Sequence, residues 1–377
     1  MQGAASREGG QRRRPSSKVL LAAAAGFGLA SAARALRRRQ PMDFRDKVVL
    51  ITGGSRGLGL LIGRELAARG ARLAILARDP AELDLARREL AALGGQRVFA
   101  VPCDVGNRDE ARWAVDTVAE RFGRLDVLIN NAGIIQVGPL EHMQLEDFEE
   151  AMRVHFWGPL YLTWAALPHL RHQEGGRIVN ISSIGGKVAI PHLVPYSASK
   201  FALAGLSDGL RAELAKEGIY VTTVCPGLMR TGSHVNAMFK GKREEEFSWF
   251  AVADANPLAS ISGRRAARRI VEACRYGEPH LTLTLQAKLA VAASHVAPCL
   301  TGRALEAVAR LLPGPAEQDG DEARPGWRYS SRWAPSLLTR LADEAAVENN
   351  ELRRQAVEYG KYGNGKSRPA LGEGPGA

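Results

Sequence analysis

From residue 47 onward the chain alternates short apolar runs with helix-like stretches, and this alternation constrains the fold more than any other feature. The runs are KVVLIT at 47–52, RLAILA at 72–77, RVFAVP at 97–102, VLIN at 127–130, RIVNI at 177–181 and IYVTTVC at 219–225. They lack the polar alternation of a half-solvated strand, so each reads as a strand buried on both faces. Helical stretches separate them at 58–69, 81–93, 109–122, a long region reaching about residue 172, and 195–216. This order predicts an α/β fold, a doubly wound parallel sheet with helices on both faces.

After residue 279 the alternation fades. Residues 280–284 read as one last strand, 285–312 as an apolar-to-amphipathic helical stretch, and 313–325 as a linker rich in Pro, Gly and acids. The expected organisation is a tail at 1–43, an α/β domain at 44–284, a helical extension at 285–362 and a Gly/Pro-rich disordered end at 363–377.

The net charge of +11 is concentrated in the tail, where residues 1–40 carry nine Arg or Lys against the single acid Glu8. The remaining body is nearly balanced, which argues against nucleic-acid binding by the protein as a whole. Between the tail's basic clusters runs VLLAAAAGFGLASAA at 19–33, shorter than the ~20 residues of a spanning helix. Three readings stay open: a marginal membrane anchor, a signal-like segment, and a surface or disordered helix. The expected location is cytoplasmic, with residues 19–36 as the candidate membrane contact. Cys103, Cys225, Cys274 and Cys299 are widely spaced without a CxxC pair, so they suggest buried apolar residues and no metal site.

The first strand is followed directly by TGGSRGLG at 52–59, where Gly53, Ser55, Arg56, Gly57, Leu58 and Gly59 form a Gly-rich loop opening a helix. Glycines there let a pyrophosphate approach the backbone and sit on the helix's N-terminal amides. The second strand ends at Ala77-Arg78. An acid at that position would favour NAD through the ribose 2′-hydroxyl; Arg56 and Arg78 instead suit the 2′-phosphate of NADP, although Asp79 complicates the argument. Asp104 and Val105 end the third strand, and Asn131, Ala132 and Gly133 end the fourth; both are expected beside the cofactor.

The strongest signal is YSASK at 196–200, which puts Tyr196 and Lys200 on one helix face, with Ser183 thirteen residues earlier at the end of a strand. A free tyrosine, with a pKa of about 10, is a poor acid–base catalyst at neutral pH, and a neighbouring ammonium is expected to pull it down.

With these motifs in order, the chain resembles the short-chain dehydrogenase/reductase family over roughly residues 44–284. The resemblance implies an oxidoreductase in which Tyr196 is the general acid/base, Lys200 holds the nicotinamide ribose and lowers the tyrosine's pKa, and Ser183 orients the substrate oxygen. Pro226, Gly227 and Thr231 would line the nicotinamide side. One departure stands out: the family's usual asparagine is here His155, in VHFWG at 154–158. That asparagine serves a proton relay mainly through its backbone, a role His155 could keep.

The expected reaction is reversible hydride transfer between NADP(H) and a secondary alcohol or ketone; NAD is the less favoured cofactor. The competing reading is a non-catalytic NADP-binding sensor or scaffold. Met229, Met238, Phe239, Phe247, Trp249 and Phe250 lie in the segment that forms the family's substrate lid. They suit an apolar substrate, and equally a lid packed onto the body. Expected partners are that small carbonyl or alcohol compound, a membrane surface through the tail, and a second copy of the chain, with no nucleic acid.

Overall fold

The computed structural model describes residues 41–352 apart from 95–97, 174, 258 and 332. The basic tail, with its apolar segment at 19–33, and the end at 363–377 lie outside the described residues. Seven parallel strands form the central sheet: β1 (Val48–Thr52), β2 (Arg72–Ala77), β3 (Val98–Pro102), β4 (Val127–Asn130), β6 (Arg177–Ile181), β7 (Tyr220–Cys225) and β11 (His280–Thr282). Their order is β3-β2-β1-β4-β6-β7-β11, so the winding reverses between β1 and β4. A crevice opens at such a reversal, outside the carboxyl ends of the strands.

The helices of this α/β body are α1 (Gly57–Ala67), α2 (Pro80–Gly94), α3 (Arg108–Phe122), α4 (Leu145–Met152), α5 (Gly158–Arg171), α6 (Val194–Leu214), α7 (Arg243–Ala255) and α8 (Gly263–Tyr276). Sequence sets their ends. Asn107 caps α3 by accepting from the Asp109 and Glu110 amides, and Gly123 closes it in the left-handed conformation. Ser262 and Gly277 do the same for α8. One core joins the sheet to α1, α2 and α8, where Leu60, Leu66, Ile75, Leu90 and Ile270 are buried. The second joins it to α3 and α5 through Leu50, Leu128, Val115, Leu162 and Leu170. Burial on both faces is why the strand runs show no polar alternation.

Three expectations change. The long helix to residue 172 is broken by a π-helical turn at Arg153–Trp157. Residue 159 is proline, which has no N–H to give the carbonyl of His155, so the regular ladder fails there. The stretch 285–312 is two helices, α9 (Leu285–Val296) and α10 (Pro298–Ala309), divided at Ala297, whose backbone leaves the helical region just before Pro298. On α10 Cys299 is exposed, while the other three cysteines are buried as expected.

The linker, finally, ends in a short strand, β12 (Arg324–Pro325), antiparallel to β9 (Met238–Phe239), which pairs in turn with β5 (Gln136–Val137). After it α11 (Arg340–Glu348) packs against α7 and against β8 (Met229–Arg230), itself paired with β10 (Ile261–Ser262). The described part of the 285–362 extension is therefore built into the same body as the sheet, with no division at 284. At the other end Met42 and Phe44 are buried in the core, and the Met42 amide bonds the Arg275 carbonyl, so this body starts at Met42.

Candidate active site

A cavity of about 630 Å³ runs along the carboxyl ends of β2, β1, β4 and β6. At one end it is lined by Arg78, Asp79 and the loop 53–58; Asp104 and Val105 follow, then Asn131–Gly133, and Ser183, Tyr196 and Lys200 close the other end. Pro226, Gly227 and Thr231 form the wall beside them. The sequence-predicted residues thus share one chamber, apart from Gly59. Gly59 supports the loop from behind: a Cβ there would come within 2.0 Å of the Gly53 carbonyl oxygen, so only glycine lets α1 start this close to β1.

The NNAG segment braces that loop. Thr52 Oγ1 accepts the Asn131 and Ala132 amides at 2.9 Å, and Asn131 Nδ2 donates to the Thr52 carbonyl at 2.9 Å. Asp104 accepts from Arg153 Nη1 at 2.7 Å and from the Gly106 amide at 3.0 Å. Its burial works against ionisation, but these bonds outweigh it and hold the carboxyl below its ordinary range. Arg78 is exposed at the rim. Arg56, expected to be an available cation, instead faces two carboxylates, Glu82 at 3.3 Å and Glu351 at 3.4 Å.

At the reactive end Ser183 and Tyr196 line the same wall, Tyr196 half-buried and Ser183 buried. Lys200 Nζ sits 5.7 Å from the centre of the tyrosine ring and donates to the Ile181 carbonyl at 2.9 Å. The expected lowering of the tyrosine's pKa by the lysine is not what this geometry gives. Desolvation raises Tyr196 above 10, only partly offset by the nearby Ser183 hydroxyl, and burial also pushes Lys200 down to about 7. A lysine in that range is not fully charged at neutral pH, and the low-dielectric setting penalises both charged forms. Tyr196 therefore rests protonated.

His155 is fully buried and neutral, because burial and the nearby Lys200 hold its pKa well below 6.5. Its Nε2 accepts the Ile134 amide at 3.1 Å. That fixes the tautomer, so Nδ1–H donates to Ser199 Oγ at 2.8 Å, and Ser199 donates in turn to the Tyr196 carbonyl at 2.9 Å. The ring also meets the Tyr196 ring edge to face, with centres 5.4 Å apart. The side chain is thus committed to holding the 131–134 turn and the helix of Tyr196 together. Its backbone carbonyl lacks the donor that residue 159 would ordinarily supply. Sequence reasoning missed Ser199, which lies inside YSASK, and Pro159, whose effect was legible in the helix pattern.

The lid aromatics are used for packing. Phe239, Phe247 and Phe250 are buried with Val137, Leu193 and Ala334, and Phe239 meets Phe247 and Phe250 edge to face at 5.6 and 5.9 Å. Of the six lid residues singled out, Met229 lines the cavity, where Ile134 and Ile135 supply further apolar surface. Glu351 also lines the cavity, and no local sequence signal points to it. Among the described residues no helix is long and apolar enough to cross a membrane, and no cluster suits a metal ion.

Residues 47–240 match the model of the short chain dehydrogenase family. The chain is 36% identical over 218 residues to oxidoreductase BOA17 of Botryotinia fuckeliana, covering 58% of this chain and 78% of that protein. It is 40% identical to 11-beta-hydroxysteroid dehydrogenase-like 3 of Arabidopsis thaliana, over 49% of this chain and 60% of the other. Among solved structures, L-sorbose reductase from Gluconobacter frateurii, complexed with NADPH and L-sorbose, superposes with a TM-score of 0.58 at 26% identity, covering 64% of this chain and 97% of that one. A short-chain dehydrogenase from Streptomyces avermitilis does so at 0.61 and 32% identity, over 71% of this chain and 99% of that one. With the doubly wound sheet and the Ser183–Tyr196–Lys200 chamber, the matched model establishes that this chain belongs to the short-chain dehydrogenase/reductase family of oxidoreductases.

Proposed function

We propose that the protein catalyses reversible hydride transfer between NADP(H) and a secondary alcohol or ketone of apolar character. The observation that carries this reading is the convergence of Ser183, Tyr196 and Lys200 at one end of a cavity whose other end is the glycine loop. The cavity's residues fit a dinucleotide: it runs from the glycine loop at the start of α1 to Tyr196 and Lys200, and Arg78 offers a cation at the rim for a 2′-phosphate. The NADPH held by the sorbose reductase supports the same choice. When bound, the nicotinamide supplies or takes the hydride.

The protein's own residues do the rest. Tyr196, kept protonated by burial, gives its proton to the carbonyl oxygen in reduction and takes it back in oxidation. Ser183, which lines the cavity with Tyr196, presents its hydroxyl to that oxygen. Lys200, poised near neutrality, recharges the tyrosine and holds the nicotinamide ribose. Ile134, Ile135 and Met229 favour an apolar substrate over a sugar. The test is NADPH and NADH oxidation by purified protein across a panel of apolar and polar ketones. Turnover with NADPH and apolar ketones is expected; its absence, or equal turnover by Tyr196→Phe, overturns the proposal.

A further inference from the structure

Beyond the matched region the chain returns to the glycine loop. α11 lies so close to the lid that a Cβ on Gly232 would come within 2.3 Å of the Ala346 Cα. From the end of α11 the Asn349 carbonyl accepts the Gly57 amide at 2.8 Å. The Asn349 side chain accepts from Arg64 at 2.9 Å and donates to the Thr231 carbonyl at 3.2 Å. Two residues on, Glu351 turns its carboxylate into the cavity. It is 6% exposed, accepts from Asn236 Nδ2 at 2.7 Å, and lies 3.4 Å from Arg56 Nε. Its Oε1 would stand 2.3 Å from a Cβ placed on Gly57.

Gly57 is the first residue of α1, and the N-terminus of the helix after the first strand is where the dinucleotide's pyrophosphate is held in this architecture. Here a backbone carbonyl already takes the Gly57 amide, and a buried carboxylate faces Arg56. Burial raises Glu351 above its usual range, with the Arg56 charge and the Asn236 bond opposing, which is the signature of an anion held in a costly place. Removing it from water is tolerated because two donors meet it.

Resting on the reading of this cavity as a dinucleotide site, we propose that Glu351 sets the affinity and selectivity of that site. Its carboxylate competes with the cofactor's phosphates for Arg56 and the N-terminal end of α1, and cofactor binding displaces it, loosening the strap formed by α11 and residues 349–351. Because Arg56 is one of two cations suited to a 2′-phosphate, the competition bears more on NADPH than on NADH.

The test is a fluorescence titration of the full-length protein and its Glu351→Gln variant with NADPH and with NADH. Glutamine's carbonyl oxygen still accepts from Asn236, while the charge is removed and the other oxygen becomes an NH2 group. NADPH is expected to bind about tenfold more tightly to the variant, equivalent to about 1.4 kcal/mol, and NADH to gain less. Hydrogen exchange supplies a second readout, in which NADPH should speed exchange at residues 345–352 of the unaltered protein. Unchanged or weaker NADPH binding by Glu351→Gln, equal gains for both cofactors, or protection of 345–352 by NADPH overturns the proposal alone. Failure of the unaltered protein to bind either dinucleotide would overturn the reading of the cavity and the proposal with it.

Discussion

Replacing His155 by leucine puts an apolar side chain of similar bulk in a fully buried position and deletes both ring nitrogens. The Ile134 amide loses its acceptor at 3.1 Å, and Ser199 loses its donor at 2.8 Å. An orphaned, partly buried amide costs about 1–3 kcal/mol and a lost hydrogen bond about 1 kcal/mol, so His155→Leu should lower stability by about 2–4 kcal/mol. Against a typical domain stability of about 5–15 kcal/mol this is a large fraction. Urea unfolding measures it as a lower midpoint at an unchanged slope. Ser199→Ala leaves the His155–Ile134 bond in place but orphans the buried Nδ1–H, so it should itself cost about 1–3 kcal/mol. If His155→Leu lowered stability by less than about 1 kcal/mol, the argument that this ring holds the 131–134 turn would be refuted. His155→Asn keeps a polar side chain and the same backbone, so its turnover should fall less than about tenfold; a deeper loss would make the ring a proton carrier.

Four further outcomes are expected. Tyr196→Phe should cut turnover by about 10²–10⁴-fold while NADPH still binds, as steady-state rates beside a binding titration would reveal. Lys200→Met should abolish most turnover yet stabilise the fold, because burial lowers the lysine from 10.5 to about 7. The unfolded chain then binds more protons between those values, so the native lysine's penalty is full below about pH 7 and fades as pH rises; a variant whose gain did not shrink from pH 7 to 10 would contradict the assignment. Ala77→Asp combined with Arg78→Ser should shift preference from NADPH toward NADH, measured as the ratio of kcat/KM values; an unaltered protein already preferring NADH would sink the NADP assignment. Removing residues 1–40 should leave the body folded, whereas removing 1–45 deletes the buried Met42 and Phe44 and should lower the denaturation midpoint markedly; equal stability of the two truncations would disprove that boundary.

The strands were legible because burial on both faces imposes a local requirement that each residue meets by itself. β2, β4 and β6 have the limits read from their apolar runs, Arg72–Ala77, Val127–Asn130 and Arg177–Ile181. The gathering of Ser183, Tyr196, Lys200 and Asn131 followed too, since strand ends of a doubly wound sheet open on one crevice. What a side chain does after it arrives depends on neighbours distant in sequence, and those only the tertiary structure supplied. Phe239 and Phe247 have the composition of a substrate wall, yet neighbours from the body turn them into core. His155 has the look of a proton carrier, but the Ile134 amide and Ser199 fix its tautomer and neutral state. Lys200 was expected to lower Tyr196, but burial lowers Lys200 itself. Asn349 reaches Arg64 across 285 residues of chain, bringing Glu351 to the glycine loop, and no local pattern encodes that meeting. Propensity, capping and strand burial act over a few residues and are written in the sequence, whereas desolvation and charge pairing depend on what finally surrounds each group, which packing alone decides.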